Sequence, residues 1–114
     1  MKRLLSAVAI LCCFGAAQAH THLQSSMPAD QAVLASAPAE IMLHFSEASR
    51  LTSVSIQKEG EQEQKIAALP KTASAAVKVP LMPLSPGKYT VNWRAVGGDN
   101  HVMSGKLQFT VDSK

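Results

Sequence analysis

The stretch "KYTVNWRAV" (88–96) decides the fold. Tyr89, Val91, Trp93 and Ala95 share one face, the period-two pattern of a strand with a buried side. The same pattern extends outward. "KLQFTVD" (106–112) groups Leu107, Phe109 and Val111, and "LTSVSIQ" (51–57) alternates through Val54 and Ile56. "EIMLHFS" (40–46) sets Ile41, Leu43 and Phe45 against Met42 and His44. "AAVKVPL" (75–81) is shorter, and Pro80, with no N–H for a ladder, marks an edge or a strand end. Ser85-Pro86-Gly87 and Gly97-Gly98-Asp99-Asn100 supply turn chemistry between the later strands. "KEGEQEQKIAALPKTAS" (58–74) opens as a Lys/Glu/Gln run and reads as an exposed hairpin or edge strand with no chemistry of its own. Sustained helical periodicity is missing after residue 20. About seven short strands in a single domain imply an all-β, immunoglobulin-like antiparallel sandwich or barrel with Greek-key connections. Trp93 is expected to pack at its centre.

The first residues read as a leader. Lys2 and Arg3 precede an apolar run from Leu4 to Ala17, interrupted only by Ser6, and Ala17-Gln18-Ala19 puts small residues where a signal peptidase reads. The run is too short to be read first as a membrane span. A lipoprotein leader is disfavoured, because Leu11 and Cys12, not small residues, precede the two cysteines. The expectation is a cleaved signal peptide over 1–19, export to the periplasm and a mature domain over 20–114. Both cysteines leave with the leader, so neither a disulfide nor a thiolate metal site is expected. The net charge of +3 drops by two when Lys2 and Arg3 are removed. No Lys/Arg cluster then remains to suggest nucleic acid or an anionic membrane surface. All four histidines, His20, His22, His44 and His101, stay.

Polar residues that a sandwich core does not demand sit at two places. "GGDNHVMSG" (97–105) carries Asp99 and His101 in a glycine-bounded loop between strong strands, where sandwiches hold functional groups. On those residues alone the plain reading is better: Asp99 caps the turn and His101 is solvated. The new N-terminus changes the balance. After cleavage, His20 offers two adjacent donors, its α-amine and ring Nδ1, which can close a chelate on one metal. With Asp99 and His101 the set becomes three nitrogens and a carboxylate oxygen, which in a tetragonal arrangement suits Cu(II). Zinc is the alternative, since imidazole and carboxylate also serve tetrahedral zinc. A set without thiolate or thioether favours the oxidised copper ion. The amine, with an ordinary pKa near 8, must lose its proton to bind, so affinity should fall on acidification. His22 is a rival: the amine, two deprotonated amides and its ring can wrap Cu(II) or Ni(II) at a flexible end. A terminus committed to a sheet would forbid that wrap, and His22 is then a surface residue of the first strand.

"HTHLQSSMPAD" (20–30), "APAEIMLHFSE" (37–47), "PLSPGKYTVNWRAVGGDNH" (83–101) and "SGKLQFTV" (104–111) together resemble the CopC family of periplasmic copper-binding proteins over nearly the whole mature chain. The resemblance implies a seven-stranded Greek-key barrel or sandwich and a histidine-brace Cu(II) site. By position its ligands are His20, Asp99 and His101. Glu47 corresponds to an acidic residue placed near this copper, where it would orient a water or the His20 amine, or bind weakly along the axis. His44 falls to the strand or to a supporting role. Some members carry a further Cu(I) site in a Met-rich loop, but residues 58–75 here have no Met and no His. Met27, Met42, Met82 and Met103 sit singly in different segments, as filler or surface residues would. One Cu(II) per chain and no Met-rich Cu(I) site are therefore expected.

The resulting expectation is a monomeric, non-enzymatic periplasmic copper binder in copper homeostasis or resistance, with an inner-membrane copper transporter of the CopD type as the partner the resemblance implies. Two alternatives stand beside it. One is a copper-dependent oxidase of the histidine-brace type, disfavoured by few exposed aromatics for a sugar polymer and by an equatorial carboxylate that holds copper oxidised. The other is a metal-free immunoglobulin-like interaction domain.

Overall fold

The computed structural model describes residues 22–112. The leader, the cleavage position after Ala19 and His20 lie outside the described residues. Seven strands run β1 (Leu23–Met27), β2 (Ala32–Leu34), β3 (Glu40–Lys58), β4 (Gln64–Lys65), β5 (Ser74–Pro80), β6 (Gly87–Gly97) and β7 (Val102–Val111). They form one curled seven-stranded sheet in the order β1-β3-β6-β7-β2, with β4 and β5 also paired to β3. Among the described residues no helix is long and apolar enough to cross a membrane.

The curl comes from β3. Its first half lies between β1 and β5, with Met42 opposite Met27 on one side and Lys78 on the other. Its second half lies between β6 and β4, with Ser55 opposite Asn92 and Lys65. One strand therefore serves both layers, where the alternation had suggested two strands over 40–46 and 51–57. The intervening "SEASR" (46–50) contains neither Gly nor Pro, so nothing breaks the extended chain. It turns the corner by irregular pairing instead: the register against β5 breaks between His44 and Ser49. A second departure is β2, which pairs parallel to β7 through Ala32 with Phe109 and Leu34 with Val111. All other pairs are antiparallel, as expected.

The expected inward faces form the core. Ile41, Leu43, Phe45, Val54 and Ile56 of β3 are buried against Tyr89, Val91, Trp93 and Ala95 of β6 and Leu107, Phe109 and Val111 of β7. Val77 and Val79 close it from β5, which among the described residues pairs only with β3 and ends at Pro80. Trp93 meets Phe45 edge-on, with ring centroids 5.4 Å apart. It lies directly opposite Gly105, where a Cβ would stand 2.7 Å from the indole Cζ2. Glycine at 105 is thus the space the indole occupies. The Tyr89 hydroxyl donates to the Ser85 carbonyl at 2.6 Å and pins the start of β6. Residues 59–73 contribute only the two-residue β4 to the sheet and are otherwise mostly exposed.

Candidate metal centre

β6 and β7 run side by side from Gly87 opposite Val111 to Val96 opposite Val102 and close through a tight loop. Asn100 N–H donates to the Gly97 carbonyl at 3.0 Å, and Gly97 N–H donates to the His101 carbonyl at 3.0 Å. Asn100, at φ 66°, supplies the left-handed residue such a short hairpin needs, a conformation asparagine tolerates better than most. The loop holds Asp99 and His101 in a fixed relation. His101 N–H donates to Asp99 Oδ1 at 3.1 Å, and His101 Nδ1 lies 2.9 Å from Asp99 Oδ2. An ionised carboxylate only accepts, so this contact requires a proton on His101 Nδ1. Donation by the His101 backbone N–H is the main reason the Asp99 carboxyl is held below the usual 3.8; partial desolvation opposes it, and the His101 side chain adds to it. The side chains of His101 and Asp99 are 62% and 36% exposed, so the pair faces solvent rather than the core.

The N-terminal side of the chain is fastened beside the β3 corner. His22 N–H donates to Ser46 Oγ at 3.0 Å, and Ser46 N–H donates back to the His22 carbonyl at 2.8 Å. His22, just before β1, is an exposed residue. Its amide is engaged with Ser46, whereas the terminal wrap needs that amide deprotonated and turned to the metal. Glu47 follows Ser46 on the corner and is also exposed. A Cβ on Gly98 would stand 3.9 Å from Glu47 Oε1 and 3.9 Å from the Ala48 carbonyl. The corner of β3 and the β6–β7 loop are therefore neighbours.

Of the residues expected to hold metal, Asp99 and His101 are in contact, Glu47 borders their loop, and His22 is anchored to the residue before Glu47. His20 lies outside the described residues. Among those described there is no group of three or more His, Cys, Asp or Glu side chains arranged to hold a metal ion. Chemically, the loop offers an imidazole whose Nδ1 is turned to the carboxylate and a carboxylate with further lone pairs, the kinds of donor that Cu(II) and zinc accept. Sequence reasoning missed Ser46. Its role depends on which residues β1 meets across the sheet, and nothing in local alternation marks it.

The frame is that of a small all-β domain whose polar donors gather at one end, on a hairpin loop and a strand corner. The chain belongs to the CopC family: the CopC domain model matches residues 23–112. It is 38% identical over 109 residues to copper resistance protein C of Escherichia coli, covering 83% of this chain and 83% of that protein. It is 35% identical over 98 residues to protein YobA of Escherichia coli strain K12, covering 82% and 79%. Among solved structures it is similar to CopC from Methylosinus trichosporium OB3b, with TM-score 0.72, 23% identity and coverage of 82% and 95%, a likeness of fold. It is also similar to PcoC, a methionine-rich copper resistance protein from Escherichia coli, with TM-score 0.61, 32% identity and coverage of 82% and 100%.

Proposed function

We propose that this chain is an exported, non-enzymatic Cu(II)-binding protein that holds one copper ion through His20, Asp99 and His101. The observation that carries the reading is the Asp99–His101 pair, held on a tight hairpin beside Glu47, in a chain related to copper resistance proteins. Cleavage after Ala19 would complete the donor set by creating the His20 amine. The anchoring of His22 to Ser46 supports the same reading, because it leaves His20 two residues from a fixed point beside Glu47. It counts against the terminal wrap because the His22 amide is engaged with Ser46. Glu47 is suited to orient the amine or a water rather than to lead the binding. Zinc is the competing metal for these donors.

A carboxylate among the donors favours the divalent ion, which fits storage or hand-over better than redox turnover. The role we assign is copper buffering, resistance or delivery in the periplasm as a monomer, with an inner-membrane transporter of the CopD type as acceptor. The test is a Cu(II) titration of protein whose N-terminus is His20, followed by EPR. One type 2 copper per chain is expected. His101→Ala and Asp99→Ala should each lower affinity by more than the roughly tenfold that an outer-shell loss costs. A methionine left in front of His20 should do the same by turning the amine into an amide. If His22→Ala abolishes binding while His101→Ala leaves it intact, the terminal wrap replaces the brace.

A further inference from the structure

A second set of donors lies on the outer face of the layer formed by β1, β3 and β5. Met27 and Met42 are direct partners across the β1–β3 ladder. Directly opposed residues of neighbouring strands point to the same face, with Cβ atoms about 5 Å apart. His44 is two residues beyond Met42 on β3 and shares that face, while Ile41, Leu43 and Phe45 point into the core and are buried. Met27, Met42 and His44 line a single pocket of ≈ 380 Å³ whose other walls include Pro28, Leu34 and Pro38. Ser25, on β1, brings its Oγ to 3.4 Å from His44 Nδ1, which leaves Nε2 as the other ring donor. Met27 is 66% exposed, so the residue is reachable from solvent. Glu40 of the pocket and Lys78, opposite Met42 on β5, bring opposite charges to this face, so neither sign dominates.

Two thioethers and an imidazole against apolar walls are soft donors. They are poor ligands for Mg(II) or Ca(II) and good ones for a soft monovalent ion of low coordination number. We propose that Met27, Met42 and His44 form a binding site for a soft monovalent cation of the Cu(I) and Ag(I) class. The site shares no residue with the Asp99–His101 loop and none with residues 58–75, where a Met-rich loop would fall. It also changes the reading of the methionines: Met27 and Met42 are far apart in sequence and become neighbours only through the β1–β3 register.

The test uses the whole processed protein with methyl-13C methionine, titrated with Ag(I) in chloride-free buffer and, under anaerobic conditions, with Cu(I) against a competing chelator. The Met27 and Met42 methyl signals should move together and saturate at one equivalent, with the His44 ring signals following and those of Met82 and Met103 unmoved. Met27→Leu and Met42→Leu conserve volume on an outer face, so the fold should persist. Each should weaken Ag(I) binding by about tenfold or more. His101→Ala, which tests the hairpin centre through Cu(II) EPR, should leave the Ag(I) titration unchanged, so the two proposals can fail separately. Methyl shifts at Met82 or Met103 as large as those at Met27 and Met42, no shift at either, or Ag(I) binding that survives both leucine variants would overturn the site.

Discussion

The Asp99 carboxyl is exposed, yet it stays ionised further into acid than an ordinary aspartate, because the His101 backbone N–H donates to it. A depressed carboxyl has one sign of pH dependence. Its loop-closing interaction is complete above the ordinary aspartate range and is lost only as pH falls through the lowered value. In metal-free protein the Asp99 side-chain 13C signal should therefore titrate below 3.8. In His101→Ala most of that depression should remain, since its leading cause is a backbone group that alanine keeps. A midpoint at or above the ordinary value would mean that the loop is open in solution. Asp99 and His101 were legible in the sequence as a pair, with turn capping and metal binding as rival readings. The geometry shows the capping, with the carboxylate accepting from the His101 N–H and lying against ring Nδ1, while metal binding is the reading proposed above. Asn100 was legible as part of a turn, but which residue of Gly97-Gly98-Asp99-Asn100 takes the left-handed backbone was not.

At the level of elements, the strands were legible wherever one face is buried, since Tyr89, Val91, Trp93 and Ala95 can serve the core only from a period-two backbone. Continuity through "SEASR" (46–50) was not, because each half of β3 looks complete on its own and its partners are distant in sequence. The same limit hid the two-way hydrogen bonding of His22 with Ser46, which ties the chain before β1 to the corner of β3. Ser46→Ala removes one exposed hydrogen bond, so the melting temperature should change little, on the scale of about 1 kcal/mol. Cu(II) binding separates the two models more sharply. If His20 is a ligand set in place by this tie, competition titration should show weaker binding in Ser46→Ala. If the terminal wrap operates, releasing the His22 amide should strengthen it.

Residues 22–112 contain no cysteine, so no disulfide braces the described domain and its core carries that load. Phe109 is 1% exposed, sits on β7 and stacks on Tyr89 with centroids 5.5 Å apart. Phe109→Ala should cost about 3–5 kcal/mol, a large part of the roughly 5–15 kcal/mol that holds a small domain folded. Thermal melting should show a drop of many degrees, and Cu(II) added to the variant should recover part of it, because an ion that binds only the folded form stabilises it by mass action. The two ends of β6 differ in what they must keep. At Gly97 the chain meets Ser49 beside the hairpin loop, and a residue added to or removed from that loop would change how Asp99 and His101 are set against the corner of β3. At Tyr89 it meets Lys58, where the chain leaves for a long, mostly exposed segment that adds just the two residues of β4 to the sheet. Doubling a flexible loop costs only about 0.6 kcal/mol in closure entropy. That far end is therefore an open port in the architecture, where sequence can be inserted, shortened or exchanged for new chemistry while the spacing at the opposite pole stays untouched.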